Sequence, residues 1–253
     1  MAGRDEIIEF CDELLDAGSF DDYGPNGLQV PGTDEVTKVV TGVSAHLELL
    51  ERARDVEAQM VLAHHGLFWD FHPRALSGPM AARLRVALGS GLSVAGYHLP
   101  LDAHPEVGNN ALLCSALGFE ARPAELAVIR GRTIGAVGFR ADPIAADDLF
   151  AAVATLLDRE PLVFDAGPAL VSSIGIVSGG AASNIHDAIA LGLDAYLTGE
   201  PAEHVMADAR EGAIHFIAAG HYATETAGIR RLGDLVAERF GVEHEFIEIP
   251  NPV

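Results

Sequence analysis

The chain has 253 residues, of which 37 are acidic and 16 basic, giving a formal charge of −21. Binding to a phosphate backbone needs clustered Lys and Arg, and here they are scattered among an excess of carboxylates, so no nucleic-acid partner is expected. Two cysteines, Cys11 and Cys114, both within helical apolar patterns, exclude a disulfide framework and a CxxC metal pair.

The first residues, MAGRDEIIEF, are charged at once and lack the apolar core of a signal peptide. The longest uncharged stretch, Ala166 to His186, contains Pro168 and several glycines and serines, which suits no membrane helix. The expected location is the cytoplasm, with no membrane partner.

Apolar residues at Ile7, Ile8, Cys11, Leu14 and Leu15 predict an amphipathic helix over 5–17. DDYGPNGLQV follows, with turn chemistry at Pro25-Asn26-Gly27 and a short strand at Leu28-Gln29-Val30. From Lys38 the patterns alternate: strand KVVTGV, helix AHLELLERARD, strand AQMVLA, helix PMAARLRVALGS, strand LSVAGY, helix NNALLCSALG. That order predicts an α/β fold whose mixed, mostly parallel sheets are flanked by helices.

The second half repeats the plan. Strand TIGAVGFR and helix PIAADDLFAAVATLLD precede SSIGIVSGG, NIHDAIALG, DAYLTGE, AEHVMADAR, IHFIAAG and TETAGIRRLGDLVAERF. Placing AQMVLAHHG beside LDAYLTGEP, and VAGYHLPLD beside IAAGHYATE, pairs His65 with Glu200, His98 with His221 and Asp102 with Glu225. The expectation is a single unit, 1–253, made of two intertwined structural repeats, roughly 1–122 and 123–253. Ligands of open α/β sheets bind at strand carboxyl ends, which places a site between the repeats.

The repeat turns scattered residues into a set. His64 and His65 end an apolar strand in VLAHHGLFW, where Gly66 permits the backbone to turn so that both rings aim at one place. His98 to Asp102 and His221 to Glu225 share the form H-x-x-x-[D/E], each after a predicted strand. Four imidazoles and two carboxylates suit two divalent ions about 3.5–4 Å apart with a carboxylate bridge. The donor types favour zinc, iron, manganese or nickel over calcium or magnesium.

AHHGLFW, YHLPLDAHPEVGNNALL, GHYATE, DYGPNGLQV and YLTGE, which lie between Asp21 and Glu225, closely resemble the YbgI/Nif-three-like family, whose members are named GTP cyclohydrolase I type 2 homologs. The resemblance implies a dinuclear metal centre and a ring-shaped homohexamer. Residue by residue it implies His64, His65, Asp102, His221 and Glu225 as metal ligands, Glu225 bridging. His98 matches a histidine near the metals.

The function this implies is that of a metal-dependent hydrolase in which the ions activate water, with His98 or Glu200 as the candidate catalytic groups that move the proton. The substrate would be a small molecule, for instance a nucleotide. The alternatives are a non-catalytic metal carrier, a metal sensor or a scaffold with a structural metal; these would use the same ligands. Of the other histidines, His72 reads as a rim residue and His104 as a cap near Asp102. His46, His186, His204, His215 and His244 read as exposed or structural. SGGAASN at 178–184 reads as a strand–helix turn, with anion binding as a weaker alternative.

Overall fold

The computed structural model describes residues 1–253. The chain forms two compact units, one of Met1–Leu101 with Gly228–Ile249, the other of Asp102–Ala227 with Pro250–Val253.

The first unit is built on a five-stranded sheet in the order Glu243–Phe246, Lys38–Ser44, Met60–His65, Ser93–Gly96, Gly27–Val30. The first four strands run parallel, and Gly27–Val30 closes the edge antiparallel. The parallel strands are apolar on both faces because both must be covered. Val40, Val61 and Val94 pack with Leu49 and Leu50 of the helix Leu47–Asp55 and with Leu67, all buried. Burying each such side chain contributes roughly 1.5–3 kcal/mol.

Local signals end the helices where the sequence permits. His46 caps Leu47–Asp55 by accepting the Leu49 amide, which explains this histidine without any catalytic role. Ser77 caps the helix Gly78–Ser90, and Gly91 ends it at φ 66°. His244 is likewise structural, held between Thr41 and Asp234 at 2.8 and 2.9 Å.

The second unit carries a six-stranded sheet in the order Leu162–Phe164, His215–Ala218, Ala195–Thr198, Leu170–Val177, Ala136–Ala145, Glu120–Arg122. Its centre is again three parallel strands in chain order, with antiparallel strands outside. Side chains alternate across this sheet. Ile174, Ile176, Leu197 and Ile217 pack on one face with Leu113, Leu149 and Val153. Tyr196 and Phe216 pack on the other with Leu126, Ile185 and Val205.

Three of the expected elements have different bounds in the structure. The helix expected from Pro143 begins at Ala146, because Asp142-Pro143-Ile144 continues the strand Ala136–Ala145. The register to Leu170–Val177 shifts between Phe139 and Ile144, the irregularity that accommodates a residue without an amide proton. The expected helix over 5–17 ends at Leu14 and gives way to a short 3₁₀ turn at Ala17–Ser19. Finally, the strand Met60–His65 runs through both histidines rather than ending before them.

Asp194, at the entry to the strand Ala195–Thr198, ties the parallel centre together. Its Oδ2 accepts the amides and hydroxyls of Ser172 and Ser173 at 2.8–3.0 Å. Burial works against its charge, but these donors outweigh it and hold its pKa below the usual carboxylate value. Asp194→Ala is expected to cost about 1–2 kcal/mol, measured by urea unfolding at neutral pH. A depressed pKa stabilises above the unfolded value of about 3.9 and is lost as pH falls through the folded one. The gap between wild type and variant therefore narrows below about pH 4.

Candidate metal centre

In the first unit, His64, His65 and His98 gather at the carboxyl end of the parallel strands. The ladder from Met60–His65 to Ser93–Gly96 stops at Ala63, so both histidines extend past their neighbour. Ring centroids lie 4.7 Å apart for His64 and His65, 5.2 Å for His64 and His98, and 5.6 Å for His65 and His98. A ligand nitrogen from each lies within 4.8 Å of the others.

Gly66 serves this end of the sheet, but not through positive φ. A Cβ there would stand 2.2 Å from Gln29 Nε2, so glycine is required for room. Gln29 Oε1 accepts the Leu67 amide at 2.6 Å, which anchors the chain as it leaves the histidines.

Each ring is held through Nδ1. His64 Nδ1 donates to the Tyr97 carbonyl at 2.9 Å, and His65 Nδ1 meets the Ser44 hydroxyl at 3.1 Å. His98 Nδ1 donates to Asp22 Oδ1 at 2.8 Å. A carbonyl or carboxylate can only accept, so Nδ1 of His64 and His98 carries the proton and Nε2 of the neutral ring carries the lone pair. This is the arrangement in which histidine ligates a metal.

Asp22 was not singled out by the sequence. Its other oxygen accepts the Leu99 amide and the Asn26 side chain, while Asn26 Oδ1 accepts the His98 amide at 2.9 Å. Burial opposes its ionisation, yet the bond and charge of His98, with Asn26 and the Tyr23 amide, hold its pKa below the usual value. The DDYGPNG turn is therefore a support for His98. Its partner lies 76 residues away, which leaves no spacing signal.

The second unit brings together Asp102, Glu200, His221 and Glu225. The short helix His221–Thr224 places His221 Nε2 3.2 Å from Glu225 Oε1, as the H-x-x-x-E spacing predicts. His221 Nδ1 bonds to Glu200 Oε1. Burial alone would lower the His221 pKa, but Glu225 and Glu200 override it and push it up to about 9. Asp102 Oδ1 accepts Asn109 Nδ2 and Ser178 Oγ, each at 2.9 Å. Asp102 and Glu225 are 6% and 3% exposed, and a carboxylate oxygen of each lies within 4.8 Å of the other.

SGGAASN is a support for these carboxylates. The Gly179 amide donates to Thr224 Oγ1 and the Ala181 amide to Thr198 Oγ1, which ties the turn to the strand and helix beside it. Gly179 sits at φ 69°, and a Cβ there would lie 2.3 Å from Glu225 Oε1. Of the remaining histidines, His104 Nδ1 caps a turn by accepting the Glu106 and Val107 amides. His215 is buried, bonded to Gly167 and Pro168. His186 and His204 lie near Asp208, and His72 is exposed.

Parallel α/β sheets with imidazoles and buried carboxylates at their strand ends define a protein with a candidate metal-binding site. The Duf34/NIF3 family (NGG1p interacting factor 3) matches residues 2–252, and the chain belongs to that family. A GTP cyclohydrolase 1 type 2 homolog of Pseudomonas aeruginosa is 46% identical over 246 residues, covering 97% of both chains. That of Escherichia coli K12 is 39% identical over 250 residues, covering 98% of both. A solved structure of protein ybgI, described as of unknown function, is 38% identical with a TM-score of 0.93 and covers 99% of this chain and 100% of its own. TTHA1606 from Thermus thermophilus is 31% identical at a TM-score of 0.87, again covering 99% and 100%. No helix is long and apolar enough to cross a membrane.

Gly179→Ala is expected to push the Glu225 carboxylate aside and to strain a positive-φ backbone. The expected cost is more than about 1 kcal/mol, seen as a lower unfolding midpoint in urea. An unchanged midpoint would show that the turn yields freely.

Proposed function

We propose that the chain is a dinuclear metal-binding protein that acts as a metal-dependent hydrolase on a small molecule of the nucleotide class in the cytoplasm. His64, His65, Asp102, His221 and Glu225 would hold two divalent ions of the zinc, iron, manganese or nickel type, Glu225 bridging them. The repeats 1–122 and 123–253 would each supply part of this set.

The observation that carries the reading is the buried carboxylate pair, whose oxygens lie within 4.8 Å of each other. Two like charges at about that distance repel by on the order of 3 kcal/mol at an effective dielectric near 20, and desolvation adds to that cost. A divalent cation turns this liability into binding energy. His64 and His65, each engaged at Nδ1, are the imidazoles of the first unit whose Nε2 would serve as neutral donors to such a centre. In the sequence only Leu99, Pro100 and Leu101 separate His98 from Asp102.

Bound there, a pair of ions supplies Lewis acidity and lowers the pKa of water toward neutrality. His98, oriented by Asp22, is placed to hold or pass a proton at Nε2. Glu200 fixes the His221 ring through Nδ1, which favours an orienting role with proton acceptance as its alternative. The name shared by the relatives points to a guanine nucleotide as substrate.

Elemental analysis of metal-loaded protein is expected to give two ions per chain, and His65→Ala or Glu225→Gln to lose both together with hydrolysis. Unchanged metal content in either variant would remove the centre. Multiple turnover on a nucleotide panel supports the hydrolase; metal transfer to an acceptor protein without turnover makes the chain a carrier. We also propose a ring-shaped homohexamer, for which light scattering should return the mass of six chains; a monomer mass would refute it.

A further inference from the structure

The loop that leaves the two histidines carries a run of aromatic rings. Trp69 lies edge-on to His98 at 5.1 Å between centroids and 5.8 Å from His65. Phe71 stacks on Trp69 at 5.6 Å with an interplanar angle of 20°. Phe71 is 71% exposed, a large apolar ring held in water against another ring. Such a stack offers a planar face to a ligand at little ordering cost.

A cavity of about 410 Å³ opens beside this stack, lined among others by Phe68, Trp69, His72, Arg74, Leu76 and Arg83. No carboxylate lines it, although the chain has 37 acidic and 16 basic residues. The cavity lining is therefore net basic within a strongly acidic chain, which favours anions there. Guanidinium groups match phosphate oxygens in forked geometry. A free polyphosphate would make no use of the rings, and an uncharged aromatic would make none of the arginines.

We propose that the loop 66–77 and this cavity bind a nucleoside phosphate, with its base against the Trp69–Phe71 stack and its phosphates on Arg74 and Arg83. The proposal deepens the hydrolase reading and rests on it for the consequence that the base joins a series of rings running through Phe71 and Trp69 to His65 and His98. Binding itself requires no metal.

Trp69 is the sole tryptophan, so its fluorescence reports the site directly. Full-length protein freed of metal by a chelator is titrated with GTP. Saturable quenching is expected. Phe71→Ala is expected to weaken GTP binding roughly five- to hundred-fold, the range for loss of a base–aromatic stack. The double variant Arg74→Ala, Arg83→Ala is expected to weaken it at least about ten-fold and to flatten its salt dependence. Absence of saturable quenching in the wild type, or wild-type affinity in either variant, overturns the site. Metal uptake is measured on the same preparations by elemental analysis. Lost quenching with normal uptake then overturns the nucleotide site alone, and normal quenching with no uptake overturns the metal centre alone.

Discussion

An imidazole can offer a metal only the nitrogen that its neighbours do not hold. Here the Tyr97 carbonyl, the Ser44 hydroxyl and the Asp22 and Glu200 carboxylates engage the Nδ1 atoms of His64, His65, His98 and His221. The four rings thus share one restraint at Nδ1, with Glu225 also meeting His221 Nε2, and much of the surrounding structure exists to deliver it. The strand Ser93–Gly96 must run parallel to Met60–His65 for the following carbonyl to reach His64. The turn at residues 22–26 must fold back over the sheet end for Asp22 to reach His98 and the Leu99 amide together.

The same requirement sets where side chains are forbidden. Gly66 and Gly96 face Gln29 and each other so closely that a Cβ on either would collide, and Gln29 in turn fixes the chain after His65. In the second unit a Cβ on Gly199 would lie 2.6 Å from His221 Cα, and one on Gly179 would meet Glu225. Glycines next to ligands usually suggest flexibility. Here they mark backbone and side chains pressed together, which restricts the rings and carboxylates to one arrangement.

The alternation of strands and helices was legible because buried parallel strands are apolar throughout and helices keep their period. Glu120–Arg122 and Glu243–Phe246 escaped for the opposite reason. They are short edge strands of charged and polar residues, held by ladder bonds that leave no hydrophobic pattern. The candidate ligands were legible because similar motifs recur along the sequence and resemble those of a family. Their supports were not. Asp22, Ser44 and Ser178 act through contacts across 76, 21 and 76 residues, and each looks like ordinary turn or strand chemistry in the sequence.

The chain passes between the units at Leu101–Asp102, Ala227–Gly228 and Ile249–Pro250, and the first two passages fall beside proposed ligands. Asp102 is the first residue after one, and Glu225 lies two residues before the end of the segment that meets the other. Under the proposed ligand set, Asp102 and Glu225 would hold ions close in sequence to these two passages. Metal affinity would then appear as folding stability, because ions that bind the native carboxylates and not the unfolded chain shift the equilibrium toward the fold.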